Sequence, residues 1–568
     1  MLTPAVVTPR PYTPTDEQRS FIVSDASALI LAGPGRGKTA TAIAAALDWL
    51  RRRPSDSVLF TSFSNAAVLR IGEAAGLAVR ARDRRLKFRT FHSIAMEVLR
   101  DFGRYVGLRK PVRALDGAER RIVEIDRAWF SLSLSQRAEQ LKLLAQEEGH
   151  VAFELMVPLA TAMLVASEAM RRAVGARYPF IVVDEFQDTR SDQWEFLKLI
   201  GERSRVLAMG DPDQMIYQLE HDAAAQRISA FATWKGIQPT RLTGQNFRCG
   251  VPAIPTFAEA LLHGTRIERP ERGVRIYGVH RPQLRAKLAE LWSFIRDRFG
   301  SDVTIGFIAP SSVIAHRIAG TLKNPGATVK VRIPIHAHVA ADDGDLDTFR
   351  FAVCAGADWV RCKDGPTSDR LVVALAGFWA SWARRDITVA KIEAIAKSLR
   401  PGGRSARPLR DYLAGADLSD IRKFADGMLT AMQEDNILRV QAQAEALRHN
   451  GLPSFRGMVG IQDKMFEEYR CARVACGFAG DRHSRARTSM LTMYRAKGRE
   501  FDYAIMIVDP RAHIATATID ELRRLHYVAA TRARKGLAVV YVRGEEGPVL
   551  APVVGVPEGD STSANDDE

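Results

Sequence analysis

Ala28-Leu29-Ile30-Leu31-Ala32-Gly33-Pro34-Gly35-Arg36-Gly37-Lys38-Thr39 passes from an apolar run through three glycines into an alanine-rich segment. The run reads as a buried strand and the segment after Thr39 as a helix. Strand, glycine loop and helix in that order form a phosphate-binding loop. Glycines let backbone N–H groups face phosphates, and the helix N-terminus adds positive dipole. Gly33, Pro34, Gly35, Arg36, Gly37, Lys38, Thr39 and Ala40 are therefore candidate ATP-binding residues. Lys38 would neutralise the β- and γ-phosphates, and the Thr39 hydroxyl would reach Mg²⁺. The generic motif opens on glycine, and this one opens on Ala32.

Twenty residues before Lys38 stands Gln18, in Thr15-Asp16-Glu17-Gln18. A side-chain amide can pair twice with an adenine edge. An isolated glutamine means little, but one placed just ahead of a phosphate loop is a candidate reader of the base.

Downstream, Phe180-Ile-Val-Val183 delivers Asp184-Glu185-Phe186-Gln187-Asp188-Thr189. A buried strand that carries two acids at its C-terminal end puts them where α/β sheets bind ligands. ATP hydrolysis needs one carboxylate on the metal and one group that orients or deprotonates water. Asp184 is the candidate for the metal and Glu185 for the water.

Further apolar runs at Val58–Thr61, Val206–Met209, Val303–Ile308, Ala504–Val508 and Leu537–Val542 alternate with helical stretches. That rhythm predicts an α/β protein with parallel sheets. About 100–178 and 336–483 lack it and read as helical. The 568 residues require several domains, and 46% hydrophobic with 26% charged residues is an ordinary globular balance. Lys and Arg exceed Asp and Glu by 81 − 66 = 15, a surplus that suits a polyanion. The five cysteines form no C-x-x-C pair, which argues against a disulfide framework or zinc site. No membrane-length apolar run or signal peptide is seen, so the expected location is cytoplasmic, bacterial and nucleoid-associated, with no membrane partner.

The remaining motifs carry a resemblance. Asp184-Glu-Phe-Gln-Asp-Thr189 and Val206-Leu-Ala-Met-Gly-Asp-Pro-Asp-Gln214-Met-Ile-Tyr217 are followed by Gly244-Gln-Asn-Phe247-Arg248. Leu491-Thr-Met-Tyr494-Arg-Ala-Lys-Gly-Arg-Glu500-Phe501 and Arg524-Leu-His-Tyr-Val-Ala-Ala-Thr-Arg532-Ala-Arg534 complete the series. With the phosphate loop, this ordered set resembles the UvrD/Rep/PcrA-like superfamily 1 DNA helicases over about residues 12–545. The resemblance implies two RecA-like P-loop domains with mainly helical 1B and 2B insertions. The chain then divides into 15–99 with 179–238 as 1A, 100–178 as 1B, 239–335 with 484–550 as 2A, and 336–483 as 2B. Residues 1–14 and the acidic 551–568 are expected to be disordered.

It further implies that Gln214 senses the γ-phosphate, that Arg248 and Arg532 contact it, and that Phe247 and Glu500 line the ATP site. Ser62, Phe63 and Asn65, Phe91 and His92, Tyr217 and Tyr494 would face nucleic acid. One departure stands out. After the third motif the family shows an aromatic, Arg, Gly and Ala, whereas this chain has Leu219, Glu220, His221 and Asp222. The implied partner is single-stranded or tailed duplex DNA. The implied function is a 3′–5′ ATP-dependent helicase or translocase in repair, replication or recombination. The alternative is a DNA-stimulated ATPase subunit of a larger assembly, such as an anti-phage defence complex. A repair factor or defence nuclease would be the corresponding protein partner.

Overall fold

The structure is a computed structural model. It describes residues 13–62, 68, 71–72, 83–115, 132–216, 223–243, 246–268, 272–323, 333, 336–337, 343–362, 371–372, 374–379, 389–399, 407–434, 487–509 and 518–555.

The first half is built on six strands. They are β1 (Ala28–Leu31), β2 (Val58–Ser62), β3 (Leu86–Thr90), β4 (Phe180–Asp184), β5 (Arg205–Gly210) and β6 (Thr240–Arg241). Their order across the sheet is β3-β2-β4-β5-β1-β6, and every pairing is parallel. Successive side chains of a strand point to opposite faces. Leu29, Ile181, Val183 and Ala208 thus bury against helices Phe91–Phe102, Phe153–Ala166 and Ser191–Ile200. Ile30, Phe180, Val182 and Met209 bury against helix Lys38–Arg52. Both faces are covered, which is why β1, β4 and β5 read as continuous apolar runs.

The second half repeats the plan. Its strands are β7 (Val274–Val279), β8 (Ile305–Ala309), β9 (His336–Ala337), β10 (Thr488–Thr492), β11 (Phe501–Val508) and β12 (Ala533–Val542). Their order is β9-β10-β8-β11-β12-β7, again parallel throughout. Helices Ala253–His263, Ile519–Ala530 and Gly547–Val554 cover one face, and Leu284–Phe299 with Ser312–Lys323 cover the other. The expected α/β fold with two parallel-sheet cores is the fold observed.

Details depart from the expectations. β3 (LKFRT) and β7 (VRIYGV) were not among the expected strands. Both lie at a sheet edge, where one side of the strand is less covered and charged residues are tolerated. The stretch expected to be helical from 100 to 178 also holds a short parallel pair, Arg113–Leu115 with His150–Ala152. His336–Ala337 pairs with β10 at the edge of the second sheet, so that sheet reaches into the stretch expected to be helical from 336. Helix Gly547–Val554 crosses the expected boundary at 550, because Val549, Leu550 and Val553 are buried on the second core. The terminal segments 1–12 and 556–568 lie outside the described residues. Helices Asp343–Cys362, Val389–Leu399, Arg407–Ala414 and Ile421–Glu434 are described within the second helical stretch. Their core includes Phe349, Phe378, Leu409, Phe424 and Met428. Among the described residues no single helix is long and apolar enough to cross a membrane.

Candidate functional site

The phosphate loop follows β1 directly. Gly35 and Gly37 adopt φ of +77° and +79°, values that a side chain would strain. A Cβ on Gly35 would stand 2.1 Å from Asn246 Oδ1 and 2.6 Å from Arg248 Cβ. The loop thus needs glycine both for its own bend and for the approach of the segment leading into the second half. That segment closes onto the loop through Phe247 N–H donating to Gly35 O (2.8 Å) and Asn246 Nδ2 donating to Pro34 O (3.1 Å). Lys38 heads its helix and donates to Ala32 O and to Gly33 O, the latter at 3.1 Å. An ammonium held by two carbonyls of its own loop is poised to exchange them for phosphate oxygens.

Gln18 is buried, at 2% exposure, and its helix starts from a Thr15 capping box. Its Nε2 donates to Arg36 O at 3.1 Å. Phe247 is half-exposed and lies on the same glycine, since a Cβ on Gly37 would meet Gln18 Nε2 at 2.7 Å and Phe247 Cδ2 at 3.7 Å. An amide and an open aromatic face therefore converge beside the loop, as a planar base requires.

Asp184 ends β4 and is buried. Glu185 follows at φ 52°, the only non-glycine residue with positive φ among the described residues. Backbone strain of this kind persists where its surroundings enforce it, and it clusters at functional sites. The enforcing contacts form a chain. Glu185 Oε2 accepts from Gln187 Nε2 (2.7 Å), and Gln187 Oε1 accepts from Asp211 N–H (2.9 Å). Asp211 Oδ2 accepts from Gln214 Nε2 (2.6 Å), and Gln214 Oε1 accepts from Arg532 Nη2 (3.0 Å). Four hydrogen bonds thus connect the carboxylate of the first half to a guanidinium of the second. Burial raises the Asp211 carboxyl above its ordinary range, against the pull of Lys38.

Arg532 is 2% exposed and is further held by Val528 O and Thr531 Oγ1. Arg248 meets Glu500 at 2.6 Å, and Arg534 donates to the other oxygen of the same carboxylate. Burial pushes Glu500 upward, but Arg248 and Arg534 outweigh it and hold the group below its usual range. Gln187, Asp211, Asn246 and Lys497 were not singled out from the sequence. Each lies inside a quoted motif, but nothing in its residue type distinguishes it from its neighbours.

The residues expected to face nucleic acid are placed unevenly. Phe63, Asn65 and Tyr217 lie outside the described residues. Ser62 is fully buried at the end of β2, and its hydroxyl has no partner among the described residues. Phe91 is wholly inside the core of the first sheet, so in this conformation it has no free face for a base. The strand-to-helix turn at Thr90 directs its ring inward. His92 is buried and stacks on Phe153, with centroids 3.6 Å apart. Burial first, and then Arg190, depress its pKa to about 4, so it is neutral at pH 7. Phe153 itself remains 54% exposed. Tyr494 is partly buried against the second core.

Mg²⁺ can be tested against these residues. Thr39 on the first turn of the loop helix and Asp184 at the end of β4 supply hard oxygen donors. Magnesium is held by one or two protein oxygens plus phosphates and water. No cluster of three or more His, Cys, Asp or Glu suited to a metal occurs among the described residues. Thr39 and Asp184 are oxygen donors of the kind magnesium takes beside phosphate and water.

Comparisons with known proteins match stretches in both halves of the chain. A family model described as an AAA domain matches residues 18–220, and one described as a UvrD-like helicase C-terminal domain matches residues 489–540. The ATP-dependent DNA helicase Rep of Salmonella typhimurium is 22% identical over 255 residues, covering 38% of this chain and 36% of its own length. DNA helicase II of Escherichia coli is 24% identical over 276 residues, covering 41% and 38%. The RecBCD enzyme subunit RecB of Mycolicibacterium smegmatis is 30% identical over 134 residues, covering 23% and 12%. The chain thus spans little more than a third of the length of Rep and DNA helicase II. The two matched models fall on the first and second sheets in chain order, and with the Rep and DNA helicase II relatives they support a UvrD/Rep-like superfamily 1 helicase.

Proposed function

We propose that this protein is an ATP-dependent motor on DNA, a helicase or translocase moving 3′ to 5′ on a single strand in repair, replication or recombination. The observation that carries the reading is the hydrogen-bond chain from Glu185 to Arg532 across the cleft beside the phosphate loop. The two halves act as the 1A and 2A domains, and the helical stretches as 1B and 2B. Gln18 and Phe247 hold the base, and the loop amides and Lys38 hold the phosphates. Thr39 and Asp184 hold Mg²⁺, which supplies charge neutralisation of the phosphates when bound. Glu185 orients the attacking water and accepts its proton. Arg532 stabilises charge on the transferring group, and Gln214 reports its position to Asp211. Arg248 exchanges Glu500 for phosphate as the cleft fills. Phe153 with His92, and Tyr494, line the strand's path.

The test is ATP hydrolysis with and without single-stranded DNA, together with strand displacement on a 3′-tailed duplex. Stimulated hydrolysis and displacement, both lost in Lys38→Ala, are the expected result. Absence of hydrolysis with any nucleic acid would overturn the proposal.

A second reading, a DNA-stimulated ATPase working inside a larger assembly without robust unwinding, is favoured by one feature. Leu219 and Glu220 stand where an aromatic and an arginine grip the strand in the family. Loss of one stacking aromatic costs about 1–3 kcal/mol per base. The double substitution Leu219→Trp with Glu220→Arg is expected to tighten single-strand binding in a fluorescence-anisotropy titration. Unchanged affinity would remove the ground for this reading.

A further inference from the structure

Lys497 lies between the short helix Met493–Ala496 and β11, in the second half of the molecule. Its ammonium crosses the cleft. It meets Asp188 Oδ2 at 2.5 Å and donates to the backbone carbonyl of Gln214 at 2.6 Å. Both side chains are almost fully enclosed, at 5% and 3% exposure. Asp188 is tied to the water-orienting segment, since its N–H donates to Glu185 O at 2.9 Å. The Gln214 side chain is the group that accepts from Arg532. One buried cation therefore grips both the carboxylate turn and the turn whose side chain seats the arginine.

A buried ion pair is a poor way to add stability, because its desolvation offsets most of its attraction. A buried charge is an effective way to fix a register. We propose that Lys497, paired with Asp188, is an interdomain positioning residue that sets Gln214, and through it Arg532, against the transferring phosphoryl group. The inference rests on the proposed ATP hydrolysis. Lys497 touches no nucleotide in this role and acts on the rate rather than on nucleotide affinity. A misplacement of about 1 Å in a group that meets the reacting atoms is enough to cost up to about a hundredfold in rate.

The test uses the full chain with three variants: Lys497→Met, the near-isosteric Asp188→Asn, and the double variant Asp188→Leu with Lys497→Met. DNA-stimulated turnover, the dissociation constant of a fluorescent ATP analogue and the melting temperature are measured for each. The double variant removes both charges and so relieves the uncompensated charge that either single change leaves behind. A merely structural pair predicts that it recovers both stability and turnover. The positioning role predicts recovered melting temperature with kcat still down about tenfold or more, and analogue affinity within about twofold of wild type. Asp188→Asn keeps the fold testable if the double variant does not, and is expected to lower kcat with affinity unchanged. Wild-type turnover in the double variant or in Asp188→Asn overturns the inference. If the wild type hydrolyses ATP and Lys38→Ala abolishes it while these variants do not, only this inference fails. No hydrolysis by wild type sinks the functional reading as well.

Discussion

Glu185 holds a backbone conformation that local preference disfavours. Its φ of 52° is disfavoured for a side chain of that kind, and asparagine tolerates it better. Glu185→Asn is expected to leave thermal stability equal or slightly raised while lowering ATP turnover by about 10²–10⁴, the range for loss of a general base. A melting curve beside a turnover assay checks both halves of that expectation. His92 makes a second case. Its pKa is depressed from 6.5 to about 4 in the fold. The unfolded chain therefore binds more protons than the folded one between those values, and stability must fall as pH drops through that window. His92→Phe, which keeps a ring against Phe153, should flatten this part of the curve. Denaturant melts of both proteins between pH 7 and pH 4 measure it, and an identical slope would refute the assignment. The carboxylate pair was legible in the sequence because a four-residue apolar strand pointed at it. The strain at Glu185 and the stacking of His92 were not, because both depend on residues distant in the chain.

At the scale of elements, the phosphate loop is the clearest match between pattern and structure. Glycines at positive φ have two different duties in this protein, one at Gly107 after the turn Gly103–Val106 and one at Gly35 in the loop. Gly107, with φ +84° and nothing within 4 Å of a Cβ, needs glycine for conformation alone. Gly35 needs it for conformation and for contact with Asn246 and Arg248. Gly107→Ala should cost about 1 kcal/mol of stability and leave turnover unchanged, as expected where strain is the whole effect. Gly35→Ala should in addition raise the KM for ATP by about tenfold, because the loop must move away from the closing segment. Steady-state kinetics on the pair separate the two duties. Strands β1, β4 and β5 were readable because both their faces are buried. β3 and β7 escaped because edge strands carry lysine and arginine among apolar residues.

At the scale of the whole molecule, the helical segment from Asp343 to Glu434 has a described core of its own around Phe349, Phe378 and Phe424. Phe424→Ala should destabilise that unit by about 3–5 kcal/mol through the cavity it leaves. Basal ATP turnover should survive, since the strands and helices that carry the cleft residues pack in other clusters. Limited proteolysis beside a turnover assay tests this, and loss of basal turnover would show that the unit supports the cleft. By itself the sequence determined the α/β plan, the phosphate loop, the carboxylate pair and the family resemblance, because each rests on motifs whose residues are close together in the chain. Only the tertiary structure decided that Gln187, Asp211 and Gln214 join Glu185 to Arg532, that Lys497 reaches Asp188, and that Phe91 turns inward while Phe153 stays open. Those contacts join residues that local periodicity cannot relate, such as Lys497 and Asp188, which are 309 positions apart. Their partners are chosen by how the two sheets face each other across the cleft.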